Sequence, residues 1–285
     1  MLPTMKENQG DGLRRRLHQG EVVSFIGVYD VFSSSIAAET HEALFISGFG
    51  FSASHYGLPD AGFIGWPDLL DFVRRVLAVL PAQHLLVDID DGYCDPAVAC
   101  HVAKSLEQAG AWGIVLEDQA RPRRCGHMDG KQILALDDYL EKLRAVLACR
   151  RELFVVARTD ATEVAEIKRR VVAFRDAGAD AVLADGIRSL EVLKEVRSLV
   201  DCPVAFNQIA GGNSPACRLG ELAEHGANLI IYSTPCLFAA QSAIRSAMAE
   251  LAAAEGSLAG AAAAGHTLAA CNAMLESNLS RSVQR

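Results

Sequence analysis

Four charged side chains give the first chemical hint in this 285-residue chain: Asp88, Asp90, Glu117 and Arg158. Asp88 and Asp90 stand two apart at the end of an apolar run, so on an extended strand they point to one side and Asp91 to the other. Two carboxylates converging beside Glu117 repel one another unless a cation lies between them. All-oxygen ligation of that kind suits Mg²⁺, with Mn²⁺ as an alternative, and such ions keep waters and recruit substrate oxygens. Taken alone, Val87–Tyr93 reads equally well as a solvated acidic turn. Arg158 tips the reading toward a metal, because a guanidinium and a cation together can hold the carboxylate of a 2-oxo acid.

A different chemistry is suggested by Arg121-Pro-Arg-Arg-Cys-Gly-His127. Cys125 lies outside any apolar strand or helix, and Arg123, Arg124 and His127 flank it. Nearby positive charge lowers a thiol pKa, so a reactive thiolate is expected here, against the commoner role of a buried structural cysteine. The remaining histidines show no ligand spacing, and His55 is the one placed in a loop where it could serve a site.

These residues need a scaffold that brings them together. Eight short apolar runs qualify as strands: 22–28, 43–47, 84–88, 113–116, 153–157, 181–184, 204–207 and 228–231. A helical pattern follows each, over 31–38, 67–80, 95–109, 137–149, 163–177, 189–200, 217–225 and 235–254. Near-continuous apolar strands joined by helices argue for a parallel sheet buried on both faces. Gly110, Gly178 and Gly226 stand where three of the helices must stop. No GxGxxG follows any strand, so the reading is an α/β protein, a closed (β/α)₈ TIM barrel, rather than a dinucleotide-binding sheet.

In such a barrel the chemistry gathers at the C-terminal strand ends. Reading those ends in order gives Tyr29-Asp30, Ser47-Gly48, the Asp88–Asp91 group, Glu117-Asp118, Arg158, Asp185, Asn207-Gln208 and Tyr232-Ser233. Any one of these alone would be a helix cap or a solvated turn residue. Residues 1–256 are expected to form the barrel domain, and 257–285 a helical extension whose Ala-rich face packs on a neighbouring subunit. Its helix is expected over 257–276, with a frayed end from Ser277 onward.

The apolar half of the chain (51%) is ample for one large core, and 6% aromatic content leaves Ala, Val, Leu and Ile to fill it. A net charge of −8 with scattered basic residues argues against nucleic acid as a partner. No apolar run reaches transmembrane length, and 1–20 lacks a signal-peptide core, so no membrane partner and a cytoplasmic location are expected. The eight cysteines show neither CxxC pairs nor zinc spacing, which fits reduced thiols.

Several of these segments, in this order, resemble the isocitrate lyase/phosphoenolpyruvate mutase superfamily over roughly Leu13 to Leu251. They are Gly27-Val-Tyr-Asp30, Ser47-Gly-Phe-Gly-Phe-Ser-Ala-Ser54, Gly57-Leu-Pro-Asp60, Asp88-Ile-Asp-Asp-Gly-Tyr93, Glu117-Asp-Gln119, Arg124-Cys-Gly-His127 and Ala157-Arg-Thr-Asp160. The sequence looks most similar to the short lyases acting on 2-methylisocitrate or dimethylmalate, and to carboxyphosphonoenolpyruvate mutase. The resemblance implies a Mg²⁺ held by Asp88, with Asp90 and Glu117 on its waters, and an oxo-acid carboxylate held by Ser47, Gly48 and Arg158. It also implies that Asp60 belongs to a gating loop, that Cys125 is the acid–base residue, and that a C-terminal helix is exchanged within a homodimer or homotetramer. Tyr29 and Asn207 join the expected substrate contacts, and His127 the expected catalytic group.

The chain departs from the family pattern at Arg123, where Lys is usual, at Cys94 for Gly, and at Asp185 for Glu. In Asn207-Gln-Ile-Ala-Gly-Gly-Asn-Ser-Pro215, Ala210 replaces Glu and Ser214 replaces Thr. The metal and carboxylate end is intact, and the end reading the rest of the substrate is altered. The leading reading is a Mg²⁺-dependent carbon–carbon lyase cleaving a small 2-hydroxy di- or tricarboxylate to an oxo acid and a second carboxylate. A phosphonomutase and an oxaloacetate decarboxylase are the alternative enzymes, and a non-catalytic oxo-acid binder or scaffold is the alternative class.

Overall fold

A computed structural model describes residues 9–258 and 267–283. Eight parallel strands close into one barrel in sequence order. They are β1 Val23–Val28, β2 Ala43–Ile46, β3 His84–Asp88, β4 Gly113–Glu117, β5 Phe154–Thr159, β6 Ala181–Ala184, β7 Val204–Gln208 and β8 Leu229–Tyr232. Helix α1 (Gln9–His18) precedes β1, α2 (Val31–Ala37) follows it, and a one-turn α3 (Gly48–Phe51) follows β2. Then come α4 (Trp66–Val79), α5 (Pro96–Ala109), α6 (Leu136–Cys149), α7 (Val164–Asp176), α8 (Leu190–Leu199), α9 (Leu219–Glu224), α10 (Pro235–Ala253) and α11 (Leu268–Val283). The TIM barrel expected from the hydrophobic pattern is the fold.

Each strand has two buried faces. One faces the helices: Leu44, Ile46, Val87, Ile114, Val155 and Val182 belong to the large cluster that α4 to α8 cover. The other fills the barrel: Phe25, Phe45, Leu86, Val115, Val156, Leu183, Ala205 and Ile231 form an inner cluster. Leu13 and Leu17 of α1 join that inner cluster. Trp112 stacks on Phe154 at 4.4 Å and meets Phe25 at 5.4 Å, anchoring the same cluster. The barrel is therefore solid, and free space is left at its polar mouth.

Local sequence sets the ends of these elements. Asp95 accepts from the Val98 amide and Pro96 opens α5, while Gly110 caps it in the left-handed region at φ 96°. Gly178 and Gly226 adopt the same conformation at 95° and 93°, as their positions in the sequence predict. Two expectations fail in detail. β5 runs to Thr159, so Arg158 is a strand residue with Glu117 as its register partner on β4. Helix α11 continues to Val283, through the segment expected to fray, whereas Ser257 and Leu258 are not helical. Much of the expected 257–276 helix, residues 259–266, lies outside the described residues.

No helix among the described residues is long and apolar enough to cross a membrane.

Candidate active site

The mouth of the barrel is built from strand ends and the turns that leave them. After β2, Ser47 caps α3 by accepting from the Gly50 amide at 3.3 Å. The chain then continues through a π-helical turn, Ser52–Tyr56. The Ser52 hydroxyl donates to the carbonyls of Leu58 (3.0 Å) and Pro59 (3.1 Å), which folds the following loop back and sets Asp60 over the barrel. A Cβ on Gly48 would stand 3.3 Å from Asp90 Oδ1 and 3.7 Å from Asp60 Oδ1 and Asp88 Oδ2. Three carboxylates thus meet around a glycine that leaves them room.

Asp88 and Asp90 do converge, but the reason differs from the one their spacing suggests. β3 ends at Asp88, and Asp90 adopts φ 53°, a left-handed conformation that is uncommon outside glycine. The turn is held by the Asp90 amide donating to Asp88 Oδ1 at 3.1 Å and by the Glu117 amide donating to the Asp90 carbonyl at 2.9 Å. Asp91 points away as expected, into a two-pronged pair with Arg121 at 2.8 Å.

Between these carboxylates lies the Arg123 guanidinium, buried to 2% exposure. It contacts Asp60, stands 2.9 Å from Asp90, and donates to Glu117 at 2.9 Å. Burial pushes the Glu117 acid up to about 8 despite Arg123 and Arg158 beside it, and it also raises Asp88 and Asp90. Among the described residues no ready-made group of metal ligands is present, and the Arg123 fork stands among the three carboxylates. The donor set nevertheless fits Mg²⁺ or Mn²⁺: three hard carboxylates, with capacity to spare. Asp90 Oδ1 and Glu117 Oε2 are buried without a well-aligned hydrogen bond, even though guanidinium nitrogens stand 2.9 and 3.2 Å away. Charge proximity there is real, but the poor alignment leaves both oxygens able to accept a further partner.

Arg158 occupies the opposite wall. It donates to Asp160 through two nitrogens at 3.0 Å and stands 2.9 Å from Asp185, 3.2 Å from Glu117 and 3.9 Å from Asp88. Asp160 is in turn held by the Lys131 amine at 3.0 Å, and its amide donates to Asp118. Asp118 accepts from the buried Arg170 at 2.8 Å and is raised to about 6 by burial and by Asp160. Burial opposes ionisation of Asp185, yet Arg158 and His127 hold it well below the usual carboxylate range. Asn207 donates to Asp185 at 3.0 Å and accepts from Ser233 at 2.7 Å, completing a fixed wall.

The loop that carries the thiol closes over this ring. Gln119 grips the backbone of Arg124, donating to its carbonyl at 2.8 Å and accepting from its amide at 2.9 Å. That places Cys125, Gly126 and His127 against Arg158, Asp88, Asp185 and Asn207 around one small cavity. The expectation of a thiolate is overturned. Burial pushes the Cys125 thiol up to about 11, and Asp60 and Asp185 push the same way. The basic neighbours do not offset this: Arg123 is turned into the carboxylates and Arg124 is exposed.

The phosphoenolpyruvate phosphomutase family profile matches residues 13–252. The chain belongs to this family. It is 32% identical over 238 residues to the petal death protein of Dianthus caryophyllus, covering 81% of this chain and 75% of that one. The solved structure of 2,3-dimethylmalate lyase, a member of the PEP mutase/isocitrate lyase superfamily, superposes with a TM-score of 0.82 at 30% identity, over 86% of this chain and 85% of that one. Oxaloacetate acetylhydrolase bound to 3,3-difluorooxalacetate matches with a TM-score of 0.82 at 31% identity, over 85% and 86%. The phosphomutase-family chain is thus an enzyme of that superfamily.

Of the residues singled out in the sequence, Ser47, Asp60, Asp88, Cys125, His127, Arg158 and Asn207 line the cavity, with Asp90 and Glu117 directly behind. Tyr29 is not among the lining residues; it stands at the rim, its carbonyl accepting from Ser54 at 3.1 Å. Three contributors were given no role in the sequence, although two of them, Asp160 and Phe49, lie inside segments that carry the family resemblance. Asp160 stands just past the end of β5 and is the side chain that Arg158 grips through two nitrogens. Lys131 carries no local signal, because loop closure alone brings it in, whereas Phe49 enters on α3 just after the Ser47 cap.

Proposed function

We propose that this phosphomutase-family enzyme is a divalent-metal-dependent carbon–carbon lyase acting on a small 2-hydroxy carboxylate. The observation that carries the reading is the Cys125 thiol lining the same cavity as Arg158 and Asp88, in surroundings that raise its pKa and favour the protonated form. A proton donor is what a cleaved carbon–carbon bond requires, and a phosphoryl shift does not need one.

Asp88, Asp90 and Glu117 would hold Mg²⁺, or Mn²⁺, which when bound supplies Lewis-acid stabilisation of the charge growing on the hydroxyl-derived oxygen. Arg158, already fixed by Asp160, orients the substrate carboxylate, and the Ser47-Gly48 turn offers backbone donors beside it. As the bond breaks, the hydroxyl gives its proton to one of the surrounding carboxylates of the Asp60, Asp88, Asp90 and Glu117 group, and its carbon becomes the carbonyl of an oxo acid. The electron pair stays with the departing carbon, which takes the proton from Cys125 Sγ. Asp60 and the Cys125 loop keep water out while that carbanion exists. The relatives named dimethylmalate lyase and oxaloacetate acetylhydrolase support a carbon–carbon cleavage of this kind.

Cys125→Ser tests it. The variant should retain fold and Mg²⁺ binding and lose kcat by roughly 10²–10⁴-fold, the worth of a positioned general acid. Near-normal cleavage would remove the thiol from the reaction and favour the mutase or decarboxylase reading. We also propose a barrel domain over residues 1–256, an intersubunit extension over 257–285, and a homodimer or homotetramer as the working form. All eight cysteines are free thiols, which supports a reducing, cytoplasmic setting.

A further inference from the structure

Resting on the reading of Cys125 as the lyase's proton donor, we infer that Lys131 is the positioning residue for that thiol. Its ammonium ties the loop tip that carries Cys125 to Asp160, the carboxylate that fixes Arg158. The Lys131 amine donates to the Gly126 carbonyl, one residue past the thiol, and to Asp160 Oδ1 at 3.0 Å. The same Oδ1 accepts from Arg158 at 3.0 Å, and Arg158 Nε holds the other oxygen at 3.0 Å. One carboxylate oxygen thus joins the acid's loop to the guanidinium that orients the substrate. The Lys131 side chain is buried, so these bonds face little competition from water.

The backbone shows which end of the loop is fixed. Gln119 bridges Ile133 in antiparallel fashion. The Ala120 amide donates to the Gln132 carbonyl at 2.8 Å, and the Leu134 amide to the Asp118 carbonyl at 2.8 Å. Residues 118–120 and 132–134 therefore form a paired stem that continues from β4, and Lys131 stands at its end. Cys125, Gly126 and His127 form the tip, where the Met128 amide turns back on the Cys125 carbonyl at 2.9 Å. Gly130, at φ 80°, reverses the chain so that Lys131 reaches back to that tip. Two neutral grips hold the tip's flanks: Gln119 on the Arg124 backbone, and Asn213 on the His127 ring and carbonyl. Lys131 supplies the charge-assisted bond next to the thiol.

The tip has to move and return. Closed, it leaves about 20 Å³ beside Cys125, room for roughly one water molecule, so substrate enters only after it lifts. Space for that movement lies behind it, in a cavity of about 530 Å³ lined by Met128, Asp129, Gly130, Lys131, Arg188 and Asn213. On return, Lys131 gives the Gly126 carbonyl one fixed donor. An apolar side chain of equal length would remove that donor and a counter-charge of Asp160, while the two-pronged Arg158–Asp160 pair persists. Losing Lys131 should therefore harm proton delivery far more than carboxylate binding. A displacement of about 1 Å at a reacting group is enough for a loss of roughly 100-fold.

The test compares Lys131→Met and Lys131→Arg with the wild type in Mg²⁺, with oxalate as the probe for Arg158 and 2,3-dimethylmalate as substrate. Lys131→Met should lose kcat by about 100-fold, with KM and the calorimetric oxalate affinity within about threefold of wild type. Iodoacetamide labelling of Cys125, read by peptide mass mapping, should be slowed by oxalate in the wild type and not in Lys131→Met. Lys131→Arg keeps the charge and the donors, and should restore both kcat and protection. The inference is overturned if oxalate affinity falls together with kcat, if protection survives in Lys131→Met, or if Lys131→Arg rescues neither. A wild-type thiol that oxalate leaves unprotected overturns it too. So does failure of both Lys131→Met and Lys131→Gln to fold, since Lys131 would then brace the whole fold. If the wild type protects Cys125 but cleaves no hydroxy acid, the lyase reading falls and the labelling still decides the role of Lys131.

Discussion

Arg123 Nε donates to Glu117 Oε1 at 2.9 Å, and both side chains are fully buried. The same guanidinium reaches Asp60 and Asp90, so one cation on the thiol-bearing loop ties the loop after β2, the turn after β3 and the end of β4 together. A guanidinium can do this because its donors fan out in a plane, and a lysine ammonium at this position would be a single point charge. The family departure at 123 is therefore a structural change at the carboxylate cluster, although the carboxylates themselves are retained.

Removing that guanidinium should make the protein depend on metal for stability. Arg123→Ala leaves Asp60, Asp90 and Glu117 buried around a gap, a loss of about 3 kcal/mol by the usual cost of breaking a buried pair. Thermal melts with Mg²⁺ and with chelator should differ by more in the variant than in the wild type, because the ion takes over the role of the missing cation. Equal metal-induced shifts in the two proteins would show that the carboxylates do not share a site with the ion.

Gly126 is the point where the loop meets the carboxylate wall. A Cβ there would collide with Asp185 and Arg158 and come within 2.8 Å of Asp160 Oδ1, none of which can retreat without breaking ion pairs. Gly126→Ala should therefore hold the loop off the site and lower kcat/KM by about 100-fold, while Mg²⁺ binding persists. Wild-type turnover in this variant would mean that catalysis does not need the closed loop.

The thiol itself should stay protonated through the whole neutral range. Burial raises Cys125 from an ordinary thiol value near 9 to about 11, so folded protein keeps this proton while unfolded chain loses it between those values. The corresponding stability is full below about pH 9 and falls as pH rises toward 11. Alkylation of Cys125 by iodoacetamide, followed by peptide mass mapping, should be slow at pH 7 and still climbing at pH 10. A rate that levels off near pH 8 would show a thiolate and contradict the general-acid role.

Periodicity made the barrel legible because each strand is buried on both faces and each helix is closed by a turn residue such as Gly110. The strand ends also named most of the site, since register puts Glu117 opposite Arg158 whatever the loops do. Charge state was not legible. Counting basic neighbours around Cys125 predicted a thiolate, but the fold turns Arg123 into the carboxylates, leaves Arg124 exposed and sets the half-buried sulfur where desolvation raises its pKa. Sequence spacing cannot report desolvation, nor could it show that Asp90 reaches Asp88 through a left-handed turn.

The C-terminal region should be where subunits meet. Helix α10 spans 19 residues and buries none of them, and it exposes Ile244 and Met248 at 61% and 57%. In α11 only Asn278 is buried, through its bond to Ser35 at 2.8 Å, while Leu268, Leu275, Leu279 and Val283 are exposed. Apolar faces of this extent rarely remain open to water. Truncation before Ser257 removes α11 and part of that surface without touching a strand or a cavity residue. Light scattering should therefore give a smaller particle for the truncated chain than for the full-length protein, with the Mg²⁺ titration unchanged. An unaltered mass after truncation would place the subunit contact elsewhere and end the case for an exchanged helix.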